Sequence, residues 1–277
     1  MIPPVEDMSL QRSSVVNRFA GRAGDRNDRA MLGSLRLADA AADRLEVPLR
    51  TIGSPSPALS AGWEVELHAA LPELRQMQEV VQEQLAAGLH PFTASSRCAV
   101  ALATLPAVAA ARPDALVVWF DAHPDLNTPL TTSTGYLGGL ALAGPLGLWD
   151  SGLGAGLTAE RVVLAGARDV DPAEDETIRR TGVPVVPVDD AFADRLTDAV
   201  GGRPVYVHID CDVLEPGIVP TEYAVPGGPR LEQLHRAAAV LARNEVVGVE
   251  LGELEDAADR PADVDALLDA LAPLLRR

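Results

Sequence analysis

Residues 117–129 read VVWFDAHPDLNTP, and the fold turns on how this stretch is understood. Its apolar half, begun two residues earlier as ALVVWF, is a short unbroken run. Such a run fits a strand buried on both faces of a parallel sheet. Directly behind it Asp121, His123 and Asp125 alternate. In extended chain, residues at intervals of two face one way. Residues 203–212, RPVYVHIDCD, repeat the arrangement with Asp210 and Asp212. Acids in such places can simply begin loops or cap helices. Four carboxylates and an imidazole in one crevice, however, repel each other without a cation. Two divalent metals bridged by shared carboxylates would neutralise them and activate water.

A third acidic group, VVGVELGELEDAAD, follows another apolar run at residues 246–259. Glu253 can enter the same crevice and bind something cationic, or it is a solvated loop acid. Glu255 and Asp256 read as surface charge.

Outward from these motifs the chain alternates short apolar runs with helical patterns. SVVNRF, VPLRTIG, HPFTA, ALVVWF, RVVLAG, VPVVPV, RPVYVHI and EVVGVEL read as strands. DRAMLGSLRLADAAADRL, ELHAALPELRQMQEVVQEQLAAG with a possible bend at Pro72, CAVALATLPAVAAA, PAEDETIRRTG, DAFADRLTDAVG, PRLEQLHRAAAVLAR and PADVDALLDALAPLLRR read as helices. Alternation of this kind predicts an α/β fold. The expected form is three-layer α/β/α, with a mostly parallel central sheet of about eight strands. No linker or internal repeat interrupts it, so one domain spanning residues 1–277 is expected, with a loose tail at 1–12. Ligands should bind in loops behind the carboxyl ends of the strands, where the polar motifs lie.

Composition bounds the function. The 277 residues are 47% hydrophobic, enough for a sizeable core. A net charge of -17 argues against nucleic acid as a partner and suits a cationic substrate. Cys98 and Cys211 are the two cysteines, too few for a disulfide framework. No apolar stretch reaches the roughly 20 residues that span a bilayer. The expectation is therefore a cytoplasmic chain with no membrane partner; monomer or homo-oligomer is left open.

The motifs together resemble the ureohydrolase family of arginases and agmatinases, over about residues 45–275. DAHPD matches the family's central signature. DCDVLEP resembles its second, with Glu215 where Asp is usual, and PTEYAVPGG its proline- and glycine-rich loop. The resemblance implies a three-layer α/β/α fold and hydrolysis of a guanidino group with paired manganese ions. Asp121 and Asp210 would bridge the ions. Asp125 and Cys98 would complete one shell, and His123 and Asp212 the other. Glu253 would hold the guanidinium, and Asp125 would also hydrogen-bond the attacking oxygen. Asn127, Thr132 and Thr134 would face a substrate carboxylate, and Asp171 and Glu174 its ammonium. This head-group set favours the arginase-like branch and a small guanidino amino acid over agmatine. Asp171 and Glu174 also suit ordinary capping roles, and Cys211 a structural one.

Two departures stand out. SSRC, residues 95–98, replaces the family's Gly-Gly-Asp-His, so Cys98 stands where histidine is usual, either as a thiolate ligand or as a small buried thiol; in the second case the other ligands would hold one ion well and the second weakly. GYLGG, residues 135–139, lacks the histidine that normally shuttles protons. Gly138 would leave room for a larger guanidino end; Tyr136 and His208 would either line the pocket or pack beside it, packing being the favoured role for His208. The paired departures resemble the branch that cleaves N-omega-hydroxy-L-arginine to hydroxyurea and L-ornithine in antibiotic biosynthesis. L-arginine hydrolysis to urea, agmatinase-type hydrolysis and a non-catalytic metal-binding scaffold are the alternatives. Phosphoester cleavage ranks lower, because no basic phosphate clamp accompanies the acids.

Overall fold

The structure is a computed structural model that describes residues 13–256 and 262–275. The tail expected at 1–12 lies outside the described residues. Eight strands form one sheet: β1 (Ser14–Phe19), β2 (Leu49–Ile52), β3 (His90–Ala94), β4 (Leu116–Phe120), β5 (Val162–Ala165), β6 (Val185–Val186), β7 (Val205–Asp210) and β8 (Val246–Gly252). Their order is β2-β1-β3-β8-β7-β4-β5-β6. The expectation of a mostly parallel sheet is exceeded, since every pairing is parallel. Parallel pairing needs a crossover between strands, and the alternating helices supply it.

Those helices are α1 (Arg29–Leu45), α2 (Trp63–Ala86), α3 (Ala101–Ala111), α4 (Pro172–Thr181), α5 (Phe192–Val200), α6 (Leu231–Leu241) and α7 (Val264–Leu271). Successive strand residues serve opposite faces. Val118 and Phe120 of β4 join one core with Leu37, Leu196, Leu234 and Leu267, from α1, α5, α6 and α7. Val117 and Trp119 join the other with Leu74, Met77 and Leu105, from α2 and α3. This two-sided burial explains why the strands read as unbroken apolar runs. Pro72 lies inside α2, which continues through it. The helix read from Cys98 onward begins instead as a 3-10 turn, Cys98–Val100, before α3.

The topology places the site. β3 and β4 are consecutive in the chain, yet β8 and β7 lie between them in the sheet. The loops behind β3, β8, β7 and β4 therefore stand side by side at the carboxyl edge. Such a reversal of strand order opens a crevice for ligands.

Candidate active site

Each of these four strands delivers acids or a thiol into one crevice. Behind β3 comes Cys98, behind β8 Glu253, at the end of β7 Asp210 and Asp212, and behind β4 residues 121–127. Cys98, His123, Asp125, Asn127, Asp210, Asp212 and Glu253 line one cavity of about 740 Å³, including its open mouth, together with Asp169, Asp171 and Glu174 behind β5. Among the described residues, three ligand groupings have donor atoms within 4.8 Å of one another: Cys98·Asp121·Asp125, Asp121·His123·Asp212 and Cys98·Asp210·Glu253. Asp121 is common to two of them. Asp210, expected to bridge as well, groups only on the Cys98 side; its Oδ1 accepts from Asp212 N at 2.7 Å.

Convergence arises differently from the expected alternation in extended chain. β4 ends at Phe120 and Asp125 sits in left-handed backbone, φ 51°. β7 ends at Asp210, and a 3-10 turn over Cys211–Val213 swings Asp212 into place. Glu253 is left-handed too, φ 62°. Non-glycine residues hold such backbone at a cost, and strain of this kind gathers at functional sites.

Burial sets the electrostatics. Asp121, Asp125, Asp210 and Asp212 are 1%, 6%, 5% and 3% exposed. Burial, then the Asp212 charge, pushes Asp121 up to about 7. Burial and neighbouring acids also drive Asp125 and Asp210 well above the carboxylate range. Burial alone would lower His123, but Asp121 and Asp212 outweigh it and hold the imidazolium protonated. His123 Nδ1 lies 3.1 Å from Asp212 Oδ2 and 3.3 Å from Asp121 Oδ1. Burial raises the Cys98 thiol, which donates to Asp210 Oδ2 at 3.1 Å. Without a cation the cluster must thus hold protons on groups that are good ligands when deprotonated. Carboxylates, one imidazole and one thiolate form a donor set for first-row divalent ions. These residues fit a metal centre.

The opposite wall carries the remaining acids. Glu174 accepts from Leu126 N at 3.0 Å and Asp171 N at 3.1 Å, tying the loop behind β4 to the start of α4. Asp171 accepts from Asn127 Nδ2 at 3.1 Å and lines the cavity. Asn127 and Thr134 also line it. Thr132 is absent from the lining, because its hydroxyl is turned to accept from Gly135 N.

A family model described as the arginase family matches residues 28–271. The chain belongs to the arginase family. It is 42% identical over 256 residues to the N(omega)-hydroxy-L-arginine amidinohydrolase of Streptomyces lavendulae, covering 91% of this chain and 94% of that one. It is 30% identical to an arginase of Brevibacillus brevis, over 71% of this chain and 73% of that one. The arginase of Bacillus subtilis superposes with a TM-score of 0.79 at 21% identity, covering 95% and 99% of the two chains, and shares the fold. Arginase-family amidinohydrolases are hydrolases of carbon–nitrogen bonds in linear amidines, and this chain is one of them.

Several details depart from the sequence reading of this arginase-family chain. Gly138 does not leave room for substrate. A Cβ there would lie 2.4 Å from Tyr136 Cε1, so the aromatic ring occupies the space, and its hydroxyl donates to Glu253 Oε1 at 3.0 Å. His208 takes the packing role favoured for it and does not line the cavity. It is fully buried, stacked on Trp119 at 3.5 Å between ring centroids, with Nε2 3.3 Å from Cys98 Sγ. On β7 it shares a face with Tyr206 and Asp210, but lies two residues short of the strand end that reaches the crevice. Glu255 is not surface charge: it is buried and pairs with Arg29 at 2.8 Å. Cys211, by contrast, packs in the core as its structural reading implies. Glu215 accepts from Gly227 N and Gly228 N and so ties down the glycine-rich loop.

Three residues escaped the sequence reading. Asp169 lines the cavity mouth 3.7 Å from His123 Nε2. Tyr223 lines it edge-on to His123. Arg97 lies fully buried among four acids. Its only signal was a cation next to Cys98 in an acidic protein.

Proposed function

We propose that this chain hydrolyses the guanidino end of an arginine-like amino acid, with N-omega-hydroxy-L-arginine as substrate and hydroxyurea and L-ornithine as products. The observation that carries this reading is the gathering of Cys98, His123, Asp125, Asp210 and Asp212 opposite Asn127 and Asp171 in one cavity, with Asp121 within ligand distance of both sides of the cluster. The 42% identity to a hydroxyarginine amidinohydrolase supports the choice of substrate.

Manganese is the metal we assign; Cys98, Asp121 and Asp125 would hold it on one side and Asp121, His123 and Asp212 on the other, with Asp210 closing the set. When bound, such ions supply Lewis acidity that makes water nucleophilic near neutral pH. The chain itself supplies position. Asn127 and Thr134 take the amino-acid carboxylate, and Asp171 takes the ammonium. Glu174 contributes mainly by fixing the loop, since both its oxygens accept backbone hydrogen bonds. Held at its head, the substrate extends its guanidino carbon toward the acids. Water adds to that carbon and the bond to the ornithine-side nitrogen breaks. The water oxygen remains in hydroxyurea, and the departing nitrogen gains a proton. Asp125, facing the cavity on strained backbone, is the acid placed to carry that proton. The Tyr136 ring fills the space beside Gly138, the position of the family's shuttle histidine, but its hydroxyl is committed to Glu253.

Side-by-side kcat/KM for N-omega-hydroxy-L-arginine, L-arginine and agmatine on manganese-loaded protein tests the reading. Hydroxyarginine is expected to lead by at least about tenfold, a difference of about 1.4 kcal/mol in transition-state binding. Preference for L-arginine, or no turnover of any of the three, would reject it.

A further inference from the structure

We infer that Arg97 fixes the charge state of the guanidino group this cleft accepts, selecting a neutral, weakly basic one over a guanidinium cation. The inference rests on the reading of the cleft as a guanidino site and deepens it.

Glu253 is the cavity-lining acid expected to receive a guanidinium. In this structure it already has one. Arg97 Nη1 lies 2.5 Å from Glu253 Oε2, and Arg97 is 0% exposed. Tyr136 Oη donates to Oε1 at 3.0 Å and Cys98 N donates to it at 3.1 Å. A carboxylate offers about four lone pairs, so three donors leave a single acceptor site. The guanidinium of Arg97 keeps its proton in any folded protein.

Arg97 also reaches Asp25 at 3.1 Å, Glu222 at 3.0 Å and Glu255 at 3.5 Å. Each of these has other partners. Asp25 accepts from Ala23 N and Ser96 Oγ. Glu222 accepts from Asn27 and lies near Arg26, and Glu255 pairs with Arg29. Among the described residues, Arg97 is the cation paired with Glu253. In SSRC it also stands where the family signature has an acid, which reverses the local charge.

Two consequences follow for a ligand. Part of the anionic charge that would hold a substrate cation is offset from behind the wall, by an Arg97 charge shared between Glu253 and Asp25. A second guanidinium on the same carboxylate would also meet Arg97 as a like charge at short range, in a poorly screened place. An N-hydroxyguanidine escapes both penalties. Its oxygen withdraws electron density, so it is a much weaker base than a guanidine and its neutral form is accessible near neutrality. A neutral N–H can still use the remaining acceptor site of Glu253.

The experiment compares binding constants, by calorimetry on the manganese-loaded full chain. The ligands are L-arginine, cationic at its end, and N-omega-nitro-L-arginine, neutral there. N-omega-hydroxy-L-arginine is followed as pH rises through its own deprotonation. The neutral nitro compound is expected to bind at least about tenfold tighter than arginine. Hydroxyarginine should gain on arginine as pH rises. R97Q should bring the nitro-to-arginine ratio near one, whereas R97K, which keeps the charge, should preserve it. A wild-type ratio of one or less overturns the inference. So does a folded R97Q that keeps the full preference, or a folded R97K that loses it. If R97Q does not fold by circular dichroism, the wild-type ratio and R97K decide. Preference without turnover of any guanidino compound rejects the hydrolase reading alone. Turnover without preference rejects this inference alone, and absence of binding rejects both.

Discussion

Asp25 and Asp121 show how burial governs the metal-free site. Burial pushes Asp25 up to about 6 and Asp121 up to about 7. A carboxyl whose folded pKa is raised binds more protons folded than unfolded. Stability therefore falls as pH rises from the ordinary carboxylate range through the raised value. The contribution of this pair to the metal-free protein is expected to be present near pH 4 and lost by about pH 7. Unfolding midpoints of chelator-treated protein across that window check this, and Asp25→Asn should flatten the slope. A slope of the opposite sign in this comparison would sink the assignment. Divalent metal should reverse the trend, because ligands must lose protons to bind. Cys98 offers a separate check. Cobalt(II)-loaded protein is expected to show a thiolate-to-cobalt charge-transfer band that Cys98→Ser abolishes. A wild-type spectrum without that band would remove Cys98 from the ligand set.

At the level of elements, the segment behind β8 is held by α1. A Cβ on Gly33 would lie 1.8 Å from the Leu254 carbonyl oxygen, so the helix approaches this segment as closely as a glycine allows. Leu254 sits between Glu253 and Glu255, and Arg29 at the start of α1 pairs with Glu255. Gly33→Ala is expected to destabilise the fold by about 1–3 kcal/mol through overpacking against backbone. It should also lower kcat/KM, because relief of the clash moves Glu253. Denaturation and steady-state kinetics on the one variant test both; unchanged kinetics would uncouple α1 from the site. The strands themselves were legible, since two-sided burial writes each as an apolar run. The detail of β6 was not: VPVVPV read as a full strand, but only Val185–Val186 pairs. Two prolines without N–H groups limit the ladder there.

Across the whole molecule, the candidate ligands come from loops far apart in sequence and meet only in the folded chain. Metal binding should therefore stabilise the native state. At about 100 times its dissociation constant, a bound ion adds about 2.7 kcal/mol. For a chain of this size that corresponds to a rise in Tm of roughly 5–10 °C, at about 2–4 °C per kcal/mol. Thermal melts with manganese and with chelator measure it; coincident melts would show that these residues hold no ion under those conditions. No described helix is long and apolar enough to cross a membrane.

The sequence by itself determined the local features. Apolar runs marked the strands, 3.6-residue periodicity marked the helices, and the acids at 121–125 and 210–212 marked the edge where chemistry would gather. Their signals lie within a few residues of each other, so they survive in one dimension. Tertiary structure alone decided which groups meet. It brought β8 and β7 between β3 and β4, filled the space at Gly138 with Tyr136, buried Glu255, and drove Arg97 onto Glu253. Each of these outcomes depends on contacts between distant segments, and the burial that sets the cost of a charge exists only once those segments have packed.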